Sequence, residues 1–390
     1  MPRMPASAQA RVAVELDGGT LTVQVAETAR STLADLCAYA SRRNPKRGFL
    51  FVSKVLGKHL PVRPSTVLRT HQQLAAQLGN FLAPRTLFIG FAETATGLGA
   101  GVFEACLRQF PDREFAYLQT TRYRLGGPLA LDFHEEHSHS TGHKLHVPSN
   151  LPPGYSGALF SETLVLVDDE LSTGKTAVNF IKALRAINPR LKRVVLVSLL
   201  NWMGHERKRE VQLALPSLQM GFASLLHGQF EFAPGEGYVC PPMSSVDSRD
   251  ESKAALLPRN YGRLGEAALH PTEFESACAR LNLDPDRPVH VIGDGEFMHP
   301  PLLLAAYLER RGFDTWFQST TRSPILSGHA IASRVRFEDH YGDGIENYIY
   351  NLPAPATGAQ LVLCHESEGP LHLPEQRHMK TISYRDLLCA

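Results

Sequence analysis

The sequence predicts an α/β protein: an open, mostly parallel sheet with an N-terminal α+β extension and a second, degenerate α/β unit towards the C-terminal end. Residues 164–167 (LVLV) form a continuous apolar run, which is typical of a strand buried on both faces of a parallel sheet. Residues 176–187 then place apolar side chains at helical spacing, and Asn188 and Pro189 end that pattern. Similar segments recur in the same order near the C-terminal end, which favours a second unit of related plan.

The length predicts two or three domains, and the near balance of basic and acidic residues gives the chain no strong net electrostatic field. The 390 residues include 40 Lys and Arg against 39 Asp and Glu, so net charge favours neither nucleic acid nor a membrane surface as a partner. Six cysteines without a C-x-x-C pair argue against a zinc ribbon or a disulfide scaffold. No apolar leader or membrane-length apolar run occurs. We therefore expect a cytoplasmic protein.

Residues 1–80 predict a separate α+β extension. An Asp-Gly-Gly turn between alternating segments indicates a hairpin, Ser31 precedes a short amphipathic helix, and Pro64 opens a second helix. Between the two helices, the strand-like stretch FLFVSKVLGKHLPV is interrupted by Lys54 and Lys58. These lysines either reach solvent along their aliphatic stems or meet ligand phosphates.

The stretch LVLVDDELSTGKTA places two acids and a hydroxyl-rich turn after the buried strand. It ends like an ATPase P-loop, but that pattern requires glycine where Asp169 stands, and two carboxylates would repel a polyphosphate. Ligands of open α/β sheets bind at the carboxyl ends of strands, and the free amides that begin a helix suit one phosphate. The residues thus predict a sugar phosphate site, in which Asp168 and Asp169 accept hydrogen bonds from vicinal hydroxyls.

This stretch resembles the fingerprint of the type I phosphoribosyltransferases: an apolar strand, two acids, two variable residues, small hydroxyl residues, Gly, any residue and Thr. The resemblance implies that family's sheet and a site for phosphoribosyl pyrophosphate (PRPP) with Mg²⁺. Asp168 and Asp169 would hold the ribose hydroxyls, and residues 172–176 the 5′-phosphate, although a small residue is commoner in the family at Lys175. The residues expected to bind PRPP are Asp168, Asp169, Glu170, Leu171, Ser172, Thr173, Gly174, Lys175 and Thr176.

A glycine-bearing turn after the strand RTLFIG lies where the family has its pyrophosphate loop. The loop carries no basic residue, so we do not expect its side chains to pair with pyrophosphate directly. Glu93 could instead reach Mg²⁺ through water, together with Asp168 and Asp169. The loop is Gly90, Phe91, Ala92, Glu93 and Thr94.

A histidine-rich segment follows, where type I enzymes have a mobile lid over pyrophosphate. Imidazoles can donate to phosphate or carry a proton, and we expect Arg122 and His137, with the two aspartates, to be catalytic. A zinc site is an alternative, although the H-E-x-x-H spacing is absent, and a solvated surface loop is another. The expected lid residues are His134, Glu135, His137, His139, His143 and Lys144.

Four short segments repeat in the same order: LFIGFAE with HVIGDGE, YLQTTRYRL with WFQSTTRSPIL, FHEEH with FEDH, and LVLVDDELSTG with LVLCHESEG. The alternative is coincidence of short strands. In the second copy the acidic pair becomes Cys364 and His365 and the phosphate turn is lost, so we expect no equivalent PRPP site there.

Residues 321–324 (TRSP) resemble the TRSP domain, which accompanies a distinctive phosphoribosyltransferase domain in tellurium-resistance and stress-response operons. The stretches KRGFLFVSKVLGKHLPV, FAETATGLG, HEEHS and VDDELSTGKT resemble the first domain of those proteins. The predicted units are 1–80 (a hood-like extension), 81–230 (the phosphoribosyltransferase domain), 231–284 (a linker) and 285–390 (the TRSP domain).

Polar residues after a strand of the second unit predict a second pocket, formed by Asp294, Glu296, His299 and Arg322. We expect Arg322 to be partly buried and bonded to an acid of this group. The pocket would receive the product of the first site or complete its acceptor site. The alternative is that Arg322 only ties two loops together.

The resemblance implies phosphoribosyl transfer from PRPP, or phosphorolysis, with a nitrogenous base or base-like small molecule as acceptor. The product would belong to the synthesis or salvage of a nucleotide-like metabolite. A regulatory protein that senses PRPP without turnover is the alternative. The expected cofactor is Mg²⁺, and the expected assembly is a homodimer.

Overall fold

The computed structural model describes residues 8–27, 31–42, 47–134, 142–147, 160–236, 248–258, 274–373 and 378–388. They form an eight-stranded sheet, a four-stranded sheet and three two-stranded ladders. No helix among them is long and apolar enough to cross a membrane.

The N-terminal segment contributes both to the large sheet and to a small ladder above it. Its elements are β1 (Ala8–Leu16), β2 (Gly19–Glu27), α1 (Leu33–Leu36), β3 (Cys37–Ser41), β4 (Phe49–Ser53) and α2 (Pro64–Ala75). The predicted hairpin is present as β1 and β2, and β2 joins the large sheet by antiparallel pairing with residues 227–234. The predicted separate extension is therefore continuous with the main sheet in this part.

Two local predictions in this segment were wrong. The helix expected after Ser31 lasts one turn, because residues 37–41 pair as β3 with β4 and this strand pairing overrides helical spacing. The long strand expected from Phe49 ends at Ser53, and Gly57, with φ +71°, is in a left-handed conformation that a regular strand does not contain.

The first domain continues with alternating strands and helices. The elements are β5 (Arg85–Gly90), α3 (Thr96–Gln109), β6 (Glu114–Gln119), β7 (Leu129–His134), β8 (Gly142–His146), β9 (Thr163–Val167), β10 (Glu170–Leu171), α4 (Lys175–Ile187), β11 (Arg193–Asn201), α5 (His205–Ala214) and β12 (Gln219–Pro234). Strands β7 and β8 form a hairpin outside the sheet.

The large sheet has the order β1-β2-β12-β11-β9-β5-β6, and the five strands from β12 to β6 are parallel. One apolar face packs against α2 and α3 and the other against α4 and α5. From β5 the sheet grows in one direction through β6, and from β9 it grows in the opposite direction through β11 and β12. Strands β5 and β9 are neighbours. In open α/β sheets a crevice opens outside the carboxyl ends of two such strands, so the fold places a ligand site after Gly90 and Val167. The α/β fold with a mostly parallel sheet is thereby confirmed.

The second domain is a smaller parallel sheet with its own core. Its elements are α6 (Phe274–Leu281), β13 (Val289–Gly293), α7 (His299–Arg310), β14 (Thr315–Ser319), β15 (Arg334–Glu338), β16 (Glu346–Tyr350), β17 (Gln360–His365), β18 (Met379–Ser383) and α8 (Tyr384–Leu388). The sheet order is β14-β13-β17-β18, and all three pairings are parallel. Strands β15 and β16 form a separate hairpin.

The second domain repeats the plan of the first, as the internal sequence matches predicted. Strand order β14-β13-β17-β18 corresponds to β6-β5-β9-β11, and each unit inserts a hairpin before its third strand. The amide of Thr120 donates to Gly90 O at 2.9 Å, and that of Thr320 donates to Gly293 O at 2.9 Å. The amide of Ala92 donates to Thr120 Oγ1 at 2.9 Å, as the amide of residue 295 does to Thr320 Oγ1 at 2.7 Å.

One detail of the predicted repeat is corrected by strand register. Gly90 lies opposite Val167, and Gly293 lies opposite Cys364. Cys364 is thus the equivalent of a strand residue, and the acidic pair of the first domain corresponds to His365 and Glu366. The matched segments LVLVDDELSTG and LVLCHESEG already pair Val167 with Cys364, so the expectation was displaced by one residue from that alignment.

Candidate functional site

A cavity of about 260 Å³ lies at the crevice beyond β5 and β9. Three parts of the chain line it: the segment that contains β3 and β4, the first-domain loops that follow the sheet, and residues 321–324 of the second domain. The lining residues are Arg42, Arg47, Leu50, Phe51, Ser53, Leu56, His59, Phe91, Ala92, Glu93, Thr94, Arg122, His143, Asp168, Asp169, Glu170, Ser172, Thr176, Thr321, Arg322, Ser323 and Pro324.

The predicted acidic pair lies at the floor of this cavity. The amide of Asp168 donates to Val197 O at 2.9 Å and the amide of Asp169 to Asp168 Oδ1 at 3.0 Å, which fixes the backbone beyond β9. Burial, together with the neighbouring Glu170 carboxylate, raises the pKa of Asp169 to about 6. Glu170 itself pairs with Arg47, with Nη2 and Oε1 2.5 Å apart. The carboxylates of Asp168 and Asp169 can accept hydrogen bonds from hydroxyl groups or bind a cation.

The predicted phosphate turn connects this floor to α4. Gly174 precedes the helix with φ +72°, and a Cβ there would lie 2.8 Å from Val211 Cγ2, so both conformation and space favour glycine. Ser172 and Thr176 line the cavity. Thr173 and Lys175 are exposed and are not among the lining residues. The free amides at the start of α4 therefore lie beside two hydroxyl groups, which is a suitable environment for one phosphate.

The loop after β5 is held by a buried carboxylate. Glu93 Oε1 lies 2.7 Å from Lys58 Nζ, and Glu93 Oε2 lies 3.2 Å from Arg322 Nε. Burial alone would raise the pKa of Glu93, but Lys58 and Arg322 lower it to about 2. The loop contains no cation of its own, as predicted, yet two cations reach it from other segments. Because they already neutralise Glu93, this residue is a poorer Mg²⁺ ligand than the sequence suggested.

Arg122 and the hairpin of β7 and β8 form the side of the cavity. Arg122 donates from Nη1 to Gly142 O at 2.9 Å and from Nη2 to Ala92 O at 3.1 Å, so it ties the hairpin to the loop. His143 Nδ1 lies 3.0 Å from Thr120 Oγ1 and its ring packs beside Phe91.

The other predicted lid residues are only partly placed. Lys144 is buried, and its Nζ lies 3.3 Å from Asp250 Oδ1, away from the cavity lining. His134 ends β7, and Glu135, His137 and His139 lie outside the described residues. Among the described residues no group of three or more His, Cys, Asp or Glu side chains could hold a metal, so the zinc alternative gains no support there.

Arg322 reaches the first domain instead of closing a pocket in the second. It is buried, as predicted, and its Nη1 donates to Ser248 Oγ at 2.8 Å, while Nη2 donates to Tyr123 OH. The expected partner was an acid of its own group, Asp294 or Glu296; the structure also pairs its Nε with Glu93 of the first domain, 3.2 Å from Oε2. Residues 321–324 thus line the first-domain cavity, and completion of its acceptor site, one of the two roles expected for this group, stays a prediction.

The three remaining residues of the predicted second pocket contact different partners. Asp294 Oδ2 lies 2.8 Å from His340 Nδ1, Glu296 accepts from the Arg122 amide at 2.7 Å, and His299 Nε2 lies 3.1 Å from Glu104 Oε1. All three are buried, and first-domain groups cover the carboxyl end of β13, where Thr96 and Thr121 donate to Glu296.

Sequence analysis missed the contribution of the segment around β3 and β4. Arg42, Arg47, Leu50, Phe51 and His59 also line the cavity, and Arg47 pairs with Glu170 beside the acidic pair. Burial and the nearby Arg47 cation lower the pKa of Arg42. Its Nε atom is buried and makes no hydrogen bond to the described residues. The stretch KRGFLFV was noted for its resemblance, but only the folded ladder shows which of its side chains face the cavity.

Two family models match the chain: a phosphoribosyl transferase at residues 36–229, and a TRSP domain C-terminal to that transferase at residues 261–375. Solved structures with similar folds include adenine phosphoribosyl transferase from Trypanosoma brucei, at 14% identity over 55% of this chain and 86% of that one, with a TM-score of 0.34. Orotate phosphoribosyltransferase from Aeropyrum pernix matches at 17% identity over 46% of this chain and 79% of that one, with a TM-score of 0.28. No curated protein matches.

Replacing Lys58 by methionine tests the role of the buried ion pairs. Lys58 Nζ also donates to Gly295 O at 3.0 Å, so the change leaves a buried carboxylate with one cation and a carbonyl without its donor. We expect a loss of about 3 kcal/mol in the free energy of unfolding, measured by urea denaturation. Lys54→Met is the control, because exposed Lys54 donates to Ala34 O and should cost about 1 kcal/mol or less. Equal losses in the two variants would contradict this interpretation.

Proposed function

The chain belongs to the phosphoribosyl transferase family and carries a TRSP domain after the transferase domain, and on this basis we propose that it transfers the phosphoribosyl group of PRPP to a nitrogenous base or base-like acceptor. One observation carries the proposal. The acidic pair, the phosphate turn and the loop after β5 all line one cavity at the point where the sheet reverses its strand order.

The proposed pose of PRPP follows from the chemistry of each part of this cavity. Asp168 and Asp169 accept hydrogen bonds from the two ribose hydroxyls. The amides and hydroxyls of residues 172–176 take the 5′-phosphate. The pyrophosphate then lies along residues 91–94, beside Arg122. Of the predicted PRPP residues, Thr173 and Lys175 contribute backbone amides to this scheme, because their side chains are exposed.

Mg²⁺ fits the acidic floor of the cavity. Asp168, Asp169 and Glu170 are consecutive carboxylates, and burial, followed by the Glu170 charge, raises the pKa of Asp169 to about 6. We propose that Asp168 and Asp169 face Mg²⁺ through water. Bound Mg²⁺ would neutralise part of the charge on PRPP. Glu93 is a weaker candidate, since Lys58 and Arg322 hold it.

In the proposed reaction the bond between ribose C1′ and the pyrophosphate oxygen breaks, and a bond forms between C1′ and a nitrogen of the acceptor. The proton of that nitrogen leaves to solvent or to a nearby base. Positive charge develops on the ribose ring near Asp168 and Asp169, and negative charge develops on the leaving group near Arg122. Placement and charge stabilisation therefore supply most of the catalysis. A role for His137 stays a prediction, because it lies outside the described residues.

We propose further that the acceptor is a planar heterocycle with an anionic group such as a carboxylate. In the proposed pose the acceptor approaches C1′ from the side opposite the pyrophosphate, and we assign that side to the wall formed by the β3 and β4 segment. That wall combines apolar Leu50, Phe51 and Leu56 with the guanidinium of Arg42. A carboxylate would provide Arg42 with a bidentate partner while the ring packs on the apolar side chains.

The wider biological expectations stay predictions. These are the cytoplasmic location, the homodimer, the lack of nucleic acid or membrane partners, and the role in nucleotide-like metabolite synthesis in stress-response operons.

Replacing both aspartates tests the PRPP site. Asp168→Asn with Asp169→Asn should abolish PRPP binding in calorimetry, because both hydroxyl acceptors lose their charge. The circular dichroism spectrum should stay unchanged. Glu162→Gln is the control: Glu162 is exposed at the other end of β9 and should leave the affinity unchanged. PRPP affinity equal to wild type in the double variant would refute the proposed pose.

Replacing Arg42 tests the acceptor class. In a pyrophosphate-release assay with PRPP and Mg²⁺, carboxylate-bearing heterocycles should support release and neutral bases of equal size should not. Arg42→Met should raise the KM for the acceptor by about tenfold or more, equivalent to one strong ionic hydrogen bond, without changing the PRPP Kd. Arg69→Met, on the exposed face of α2, should change neither constant.

Two results would contradict the acceptor proposal. Release with neutral bases at equal efficiency would exclude an anionic acceptor class. A fall in PRPP affinity in Arg42→Met would show that this arginine binds PRPP instead.

A further inference from the structure

Each of the two α/β units has a glutamate, at an equivalent position, that contacts the other unit. Glu93 and Glu296 each stand three residues after the final glycine of the first strand, Gly90 or Gly293. Glu93 reaches Arg322 of the second unit.

In the opposite direction, Glu296 accepts from Thr121 Oγ1 at 2.6 Å and from the Arg122 amide at 2.7 Å in the first unit. Thr121 and Thr321 are equivalent, since each exchanges two backbone hydrogen bonds with a hairpin strand of its own unit. The contact is therefore reciprocal, like the two-fold contact between identical subunits.

Further contacts add to this interface, and one of them joins equivalent helices. Helices α3 and α7, which follow the first strand of each unit, pack against each other. The rings of Tyr123 and Tyr341 stack with centroids 4.4 Å apart. Thr96 Oγ1 donates to Glu296 O at 3.0 Å, and Lys58 Nζ donates to Gly295 O at 3.0 Å. The interface is buried and hydrogen-bonded, so the position of one unit constrains the other.

The crevice of the second unit is covered by its own chain. The amide of Glu368 donates to Leu256 O at 2.8 Å, and Lys253 Nζ forms a buried ion pair with Asp343, 2.5 Å from its Oδ1. Leu257 packs in a cluster with Tyr123 and Tyr341. Residues 253–257, within the described part of the connecting segment, thus cover the place where the first unit has its phosphate turn. This arrangement favours a supporting role for the second unit over a second PRPP site.

We propose that the second domain acts as an in-chain partner subunit of the first, in which residues 321–324 complete the PRPP cavity and Arg322 positions the pyrophosphate loop through Glu93. Arg322 is a positioning residue in this proposal. Its guanidinium is fixed by Ser248, Tyr123 and Glu93, and it thereby fixes the loop of residues 91–94. The inference rests on the proposed function, which assigns that loop to pyrophosphate.

Loss of the ion pair between Arg322 and Glu93 should displace the loop of residues 91–94. A buried carboxylate that loses one of two cations keeps its desolvation penalty, and the remaining cation no longer offsets all of it. Residues 91–94 would then shift to expose Glu93 or to move it closer to Lys58. Either movement displaces the amides that meet the ligand.

Arg322→Met and Arg322→Lys test the proposal by calorimetry with PRPP and Mg²⁺, alongside melting temperatures. We expect the PRPP Kd to rise about tenfold or more in Arg322→Met, and about threefold in Arg322→Lys, which keeps the charge but loses the planar geometry. Arg336→Met is the matched control, since it removes an exposed arginine–glutamate pair in the same domain and should leave the Kd unchanged.

A double-mutant cycle with Glu93→Gln distinguishes positioning from direct contact. If Arg322 acts through Glu93, the double variant Glu93→Gln with Arg322→Met should bind PRPP as weakly as Glu93→Gln alone. Additive losses would overturn the positioning role.

Wild-type affinity in folded Arg322→Met would overturn the inference. If that variant does not fold, wild-type affinity in Arg322→Lys has the same consequence. A failure of the wild-type protein to bind PRPP would refute the proposed function, and with it the premise of this inference.

Discussion

A buried carboxylate holds three parts of the molecule together at the cavity. Glu93 lies on the first-domain loop, Lys58 comes from the segment after β4, and Arg322 comes from the second domain. A buried charge is costly unless its partners are well placed, so this cluster allows few relative positions of the three parts. The shape of the cavity depends on it, because each of the three parts contributes lining residues.

The parallel sheet supplies the rest of the geometry. Reversal of strand order between β5 and β9 opens a crevice, and the chain leaves both strands through short turns that aim backbone amides and carboxylates into it. The second domain repeats this plan but carries His365 and Glu366 in place of the acidic pair. One unit thus provides a site for ligand chemistry, while the other provides a wall and the cation that fixes a loop.

The parts of the site that lie close together in sequence could be predicted from it. The strand, acidic pair, phosphate turn and helix all fall within 164–187, where apolar periodicity and turn chemistry are local signals. The partners of Glu93 could not be predicted, since Lys58 and Arg322 lie 35 and 229 residues away, respectively, and no periodic pattern marks such contacts. Strand β3 was mistaken for helix because its pairing with β4 is also a tertiary effect.

A crystal structure of the protein with PRPP and Mg²⁺ tests the central claim most directly. The account predicts the ribose hydroxyls on Asp168 and Asp169, the 5′-phosphate on the turn at residues 172–176, and the pyrophosphate on residues 91–94, with the TRSP segment still closing the cavity. PRPP bound elsewhere, or bound in this cavity with residues 321–324 withdrawn from it, would contradict the account.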